Sequence, residues 1–316
     1  MTLAIRRAGN DEADLATITA IVNAVMPEWP TSIDQLRWSD ETYPGTVRLI
    51  AELAGRPVGA ATVGRIFMYP PDFDGLWGSI DVLPDACRKG IGGSLLRAIA
   101  GEAAAAGKGF MHIPASELRP EGIAFLVRRG FVEIDRHRIV RLPLAGLERP
   151  PVVAPDGLIL TDLARRPDLV AGVHRVAVDA FPHIPGSEPM AAGDLAEFRA
   201  RDVDRPGMPP GAFVVGVDAA TGEVAGYASL LFKAGSTTEA VHDMTAVRAA
   251  WRGRGLATAM KRATIAWAID HGLAALETGN DEENLAMRAV NARLGYRPAP
   301  DDVTLRGSVA AAMMEP

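Results

Sequence analysis

The chain has 316 residues, of which 48% are hydrophobic and 23% charged, with a formal net charge of −6, a sequence pI near 5.6 and a single cysteine, Cys87. The acidic balance argues against a general nucleic-acid-binding surface, and one cysteine excludes an internal disulfide and any cysteine-rich zinc site. What remains is a globular protein with enough apolar residues for substantial cores and enough length for two domains.

In chain order, Leu3 to Arg6 alternates as a short strand, and Asp11 to Val25 carries Leu15, Ile18, Ile21, Val22 and Val25 at the spacing of one helical face, stopped by Pro27. The runs Arg48 to Leu53 and Val58 to Arg65 flank Ala54-Gly55-Arg56-Pro57 and predict a hairpin, and Trp77 to Leu83 is a third strand. Cys87 to Gly107 is a glycine-rich turn entering a helix with an inward stripe of Leu95, Ile99 and Ala103. A strand over Gly109 to Pro114 and a helix over Glu121 to Arg129 follow. The proline-rich stretch Leu142 to Gly157 has no period and marks a domain boundary near Pro150, giving domains of residues 1–148 and 149–316.

The second half repeats the first. Leu158 to Leu160 predicts a strand, Leu169 to Ala180 a helix, Phe181 to Pro210 a long polar connection of the kind that forms lids or substrate walls, and Ala212 to Val217 with Val224 to Phe232 a second hairpin. Glu239 to Val247 is the strand that feeds a second glycine-rich turn, followed by a helix with Leu256, Met260, Ala263 and Trp267 along one side. A strand over Leu273 to Thr278, a helix over Glu282 to Leu294 and a closing strand over Val303 to Val309 complete the chain. Val82, Gly90, Gly92 and Gly130 recur as Val247, Gly255, Ala257 and Gly295, each displaced by 165 positions, so the chain is a tandem duplication.

The turn Arg252-Gly253-Arg254-Gly255-Leu256-Ala257 suits an anion held on backbone amides: glycines allow close approach, and the new helix offers unpaired N–H groups with a favourable dipole. Arg252, Gly255 and Ala257 match every fixed place of a signature: a basic residue or glutamine, two free positions, glycine, one free position, then glycine or alanine. The chain here resembles the GNAT acetyltransferase superfamily. That resemblance implies two tandem α/β (α+β) domains, each a mixed twisted sheet flanked by helices, with acetyl-CoA as cosubstrate. It implies cofactor contacts from Thr245, Ala246, Val247, Arg252, Gly253, Arg254, Gly255, Leu256, Ala257 and Thr258, with a backbone N–H between Met244 and Val247 polarising the thioester carbonyl. The first copy has Cys87 where the signature has its basic residue, so the N-terminal domain is expected to be degenerate or structural and the C-terminal one catalytic.

Acyl transfer to an amine also needs a proton acceptor. Glu239, His242 and Asp243 are the titratable residues of the strand; Glu239 ranks first by position and His242 second. The family's usual acid is a tyrosine four places before the final-helix glycine, where this chain has Asn291, which can only donate a hydrogen bond to the sulfur. Thr278, Asn280, Asn284, Met287 and Asn291 resemble a subgroup of tandem GNAT proteins, and Asn284 is expected either to contact the pantetheine arm or to cap the helix. The expected function is acetyl transfer to a primary amine of a small molecule or peptide. The alternatives are a non-catalytic acyl-CoA-binding protein and, as a lesser one, a mycothiol synthase-like enzyme. Charges in MTLAIRRAGNDEAD, where a signal peptide would be apolar, and no long apolar run make the expected location cytoplasmic, without a membrane partner.

Overall fold

The structure is a computed structural model that describes residues 2–66, 68–70 and 72–314. Its elements run β1 (Leu3–Arg7), α1 (Glu12–Val25), α2 (Ile33–Thr42), β2 (Val47–Leu53), β3 (Arg56–Arg65), β4 (Gly75–Val82), α3 (Ile91–Ala105), β5 (Phe110–Ser116), α4 (Pro120–Val127) and β6 (Val132–Pro143). Then follow β7 (Leu158–Asp162), α5 (Val170–Ala180), α6 (Leu195–Phe198), β8 (Val214–Asp218), β9 (Val224–Phe232), β10 (Glu239–Val247), α7 (Leu256–Asp270), β11 (Ala275–Asp281), α8 (Leu285–Arg293), β12 (Arg297–Pro298), β13 (Asp302–Ser308) and α9 (Val309–Met313).

The chain forms two compact units. The first is Met1–Phe67, Pro71–Arg136 and Pro300–Pro316; the second is Met68–Pro70 and His137–Ala299. Where the sequence places a boundary at 148/149, the structure divides the chain inside β6 and returns its last segment to the first unit. In the first unit the strand order is β1-β2-β3-β4-β5-β13, antiparallel except for the parallel pair β4–β5. In the second it is β7-β8-β9-β10-β11-β6, antiparallel except for β10–β11, with β12 also on β6. Each unit is thus a mixed sheet flanked by helices.

The elements form where local chemistry favours them. Asp11 caps α1 by accepting the amides of Ala13 and Asp14, each at 3.1 Å. The α3 stripe of Leu95, Ile99 and Ala103 is wholly buried, each large side chain contributing about 1.5–3 kcal/mol relative to exposure. Three features depart from the sequence reading. The helix α2 and the twelve-residue strand β6 fall where neither was expected. The closing strand β13, assigned by sequence to the second domain, pairs with β5 from Asp302↔Ser116 to Ser308↔Phe110. Residues 137–143 of β6 take the matching place in the second unit, from Asp281↔His137 to Ala275↔Pro143 on β11. The connection after α5 is not a loose excursion: Phe181, Phe198 and Arg201 on it are buried.

Candidate active site

In the second unit β10 and β11 run parallel only from Glu239↔Ala275 to Val241↔Glu277. Beyond that point β11 keeps its other partner, β6, while β10 bends away, so the two strands part and leave a gap. The bend has a local cause. His242 faces Leu230 and Thr245 faces Ala228, so Asp243 and Met244 together oppose the single residue Ser229, a β-bulge that turns the strand and frees backbone groups beside it.

At the end of β10 a short 3-10 turn, Ala249–Trp251, leads into the glycine turn. Gly253 and Gly255 have φ of 77° and 82°, a region that L side chains avoid, and no atom lies within 4 Å of a Cβ built on either. Gly255 starts α7 with no side-chain cap. Among the described residues, no protein group accepts the amides of Gly253 to Thr258, while Arg252 Nε donates to the Val247 carbonyl at 3.0 Å and pins the turn to the strand end. The Arg254 guanidinium lies 4.7 Å from the Trp251 ring centroid. This is an open cradle of N–H groups on a helix N-terminus, suited to a diphosphate.

On one face of the gap, Asp243 sits 3.4 Å from Arg205, which comes from the connection after α5. Loss of water raises the Asp243 carboxyl above its ordinary range despite Arg205 and Arg201. Beside it Asp202 is pushed up to about 6 by burial, opposed by the Arg201 guanidinium 2.8 Å away. The Tyr227 hydroxyl and Thr245 Oγ1 are buried without a hydrogen-bond partner. Tyr227 stacks on Phe213 and is held far above its usual pKa by burial, with Asp202 and Asp243 adding to the effect.

On the opposite face His242 is 5% exposed. The Thr264 hydroxyl donates to the Lys261 carbonyl (2.9 Å), which leaves Thr264 Oγ1 to accept from His242 Nε2 (2.6 Å) and His242 Nδ1 to accept from the Tyr296 hydroxyl (2.7 Å). Burial, with Lys261 adding to it, depresses the pKa of this neutral ring well below normal.

These features have counterparts in known proteins. The model of the Acetyltransferase (GNAT) family matches residues 16–131 and 172–296, about three quarters of the chain. The chain belongs to the GNAT acetyltransferase family. Its fold resembles that of a tandem GNAT protein from the clavulanic acid biosynthesis pathway, at 21% identity and a TM-score of 0.79 over 98% of this chain and 99% of that one. It also resembles a GCN5-related N-acetyltransferase from Sphaerobacter thermophilus, at 15% identity and a TM-score of 0.72 over 97% and 96%. No curated protein matches. Family and fold together make acyl transfer the general chemistry of this chain. Among the described residues no helix is long and apolar enough to cross a membrane.

The GNAT turn and strand bring Thr245, Ala246, Val247, Arg252, Gly253, Arg254, Gly255, Leu256, Ala257 and Thr258 into one continuous segment beside the gap. Two of the expected catalytic residues are engaged within the protein. Glu239 lies six residues before Thr245, roughly 20 Å along an extended strand at about 3.3 Å per residue, and is ion-paired to Arg141 at 2.5 Å. His242 is a core histidine with both ring nitrogens engaged. Asp243, next to His242 but turned to the other face, is the strand's titratable group at the bulge, and only tertiary burial distinguishes it. Asn291 is 1% exposed; its Nδ2 donates to Asn280 Oδ1 at 2.6 Å and its Oδ1 is left without a partner. Asn280 thus takes one of the two Nδ2 hydrogens, and the expected hydrogen bond to sulfur would have to come from the other.

Asn284 caps α8, its side chain accepting the Met287 amide at 3.2 Å. Asn284→Ala is expected to lower stability by about 1 kcal/mol in denaturant unfolding while changing acetyl-CoA affinity by less than about twofold. A large loss of affinity with unchanged stability would instead restore the pantetheine contact.

The first unit offers a comparison. Gly90 starts α3 at φ 80°, and Cys87 Sγ lies 3.7 Å from the Val82 carbonyl, the place of the Arg252–Val247 bond. Arg88 takes the left-handed conformation that Gly253 takes in the second unit, at φ 63°. The pairing of β4 with β3 runs from Val82 to Leu76 without a shift, so the first unit has no bulge on this strand.

Proposed function

We propose that the second unit transfers an acetyl group from acetyl-CoA to a primary amine of a small molecule or peptide, and that the first unit has a structural role. The observation that carries this reading is the combination, within one unit, of an open amide cradle and a bulge that sets a partly buried carboxylate beside the gap. The unpartnered amides of Gly253 to Thr258, the orphaned Thr245 Oγ1 and the orphaned Asn291 Oδ1 fit a ligand with a diphosphate at one end and amides along its arm. Acetyl-CoA, when bound, supplies the acyl group activated as a thioester.

The protein's own groups divide the remaining work. Backbone N–H groups between Met244 and Val247 have no strand partner on the gap side and serve as donors to a developing oxyanion. Asp243, raised by burial, takes the proton that an attacking ammonium must lose, since an amine of pKa near 10 is mostly protonated at neutral pH. Asp202 adds negative charge at the same wall, which favours a cationic acceptor. The unbulged β4 and Cys87 support the structural assignment of the first unit.

A second reading, a binder without turnover, is favoured by the engagement of Asn291 with Asn280, which leaves no tyrosine-like acid at that place. Thiol release from acetyl-CoA across a panel of primary amines separates the two. Amine-dependent release with at least one acceptor is expected; tight acetyl-CoA binding with no release on a broad panel would favour the binder.

A further inference from the structure

Lys261, on α7, is 1% exposed, yet among the described residues no carboxylate pairs with it and no group accepts a hydrogen bond from its ammonium. Its Nζ lies 5.5 Å from the centroid of the Tyr296 ring, whose hydroxyl donates to His242. His242 is the first residue of β10 beyond the paired segment, and its carbonyl accepts a hydrogen bond from Thr278 Oγ1 of β11 at 3.4 Å. This chain of contacts places Lys261 behind the closed end of the gap, on the face opposite Asp243. The titratable groups against it are His242 from β10 and Tyr296 beyond α8; neither is an anion in this setting, because burial keeps the imidazole neutral and the phenol protonated. A buried cation with no counter-ion is costly to the fold, and the Tyr296 ring face beneath the ammonium offsets only part of that cost.

We propose that Lys261 is the group that meets the departing sulfur: its ammonium pairs with the leaving thiolate across the gap and hands it a proton. The inference rests on the reading of this unit as the acyl-transfer site. As the acyl C–S bond breaks, its electron pair goes to sulfur while the amine nitrogen forms the new C–N bond. Before attack the ammonium loses one proton to Asp243, which passes it to solvent; as the C–N bond forms the nitrogen loses a second proton to Asp243, the Lys261 proton goes to sulfur, and solvent restores both groups to their starting states. Burial lowers Lys261 to about 7, so its proton is available at neutral pH without a strong base. The role that a tyrosine would have had at Asn291 is thereby filled from a different helix.

The test uses the full chain and Lys261→Met, which keeps the apolar stem and removes the charge. Free CoA is expected to bind the unaltered protein about tenfold more tightly than desulfo-CoA, the margin of one charge-assisted contact. In Lys261→Met the preference over desulfo-CoA falls to about one, and kcat falls about 100-fold while KM for acetyl-CoA changes little. Lys261→Arg, a cation that does not release its proton, is expected to keep the sulfur preference and lose turnover. If Lys261→Met folds, binds acetyl-CoA normally and keeps both the sulfur preference and its turnover, the role of Lys261 is overturned and the site reading stands. If the unaltered protein binds neither CoA nor acetyl-CoA, both are overturned.

Discussion

Gly255→Glu is expected to weaken acetyl-CoA binding by at least about 100-fold, about 2.7 kcal/mol, in calorimetric titration, with the fold retained. The protein's own atoms do not resist the substitution, since nothing lies within 4 Å of a Cβ at this position. The backbone φ of 82° adds strain of about 1–2 kcal/mol for any residue with a side chain. What the new side chain occupies is the mouth of the amide cradle, and its charge stands where the helix N-terminus would otherwise favour a diphosphate. Gly255→Ala imposes the same strain without the charge and is expected to weaken binding by about tenfold. If Gly255→Glu binds acetyl-CoA as the unaltered chain does, the turn is not the phosphate site.

Asp243→Asn is expected to lower kcat/KM for the amine by about 10²- to 10⁴-fold, with acetyl-CoA affinity unchanged. Asparagine keeps an oxygen for Arg205, 3.4 Å away, but cannot accept a proton. The pH dependence has a definite sign. Asp243 works as a base only when ionised, and burial raises its pKa, so the rate of the unaltered enzyme should climb with pH through a value above the usual carboxylate range. That limb should vanish in Asp243→Asn. For stability the raised pKa acts the other way: ionising Asp243 costs the folded state as pH rises from 3.8 to its folded pKa, so the asparagine variant loses nothing above that window and is expected to be at least as stable there. Glu239→Gln serves as the control and should change the rate by less than about twofold, since that carboxylate is ion-paired to Arg141 at the far end of the strand. A tenfold loss in Glu239→Gln with full activity in Asp243→Asn would reverse the assignment.

The cradle was readable because its requirement is local. A turn with φ near 80° at Gly253 and Gly255 needs glycine, and a helix that begins there leaves its first amides unpaired whatever else the protein does. The proposed proton acceptor was not readable, because its setting depends on a bulge. Strict alternation puts Glu239 and Asp243 on one face and separates them only by position; the extra residue at Asp243–Met244 and the arginines brought from residues 201 and 205 make one of them a partly buried carboxylate by the gap. The significance of Lys261 was hidden for a related reason. In the sequence it is an ordinary lysine within an amphipathic run, and only the packing of Tyr296 and His242 reveals that its charge has left water without acquiring a counter-ion.

The sequence by itself determined the duplication at 165 residues, the helices and strands around each glycine turn, and the acyl-transfer family to which those turns belong. Tertiary structure alone decided which sheet each final strand completes: β13 lies on β5 of the first unit, and residues 137–143 of β6 lie on β11 of the second. The physical reason is that a period of two specifies which face of a strand is buried but carries no mark of the strand beside it. Two edges with similar apolar faces accept either strand, and the choice is made by chain connection and by the backbone hydrogen bonds available where each strand arrives.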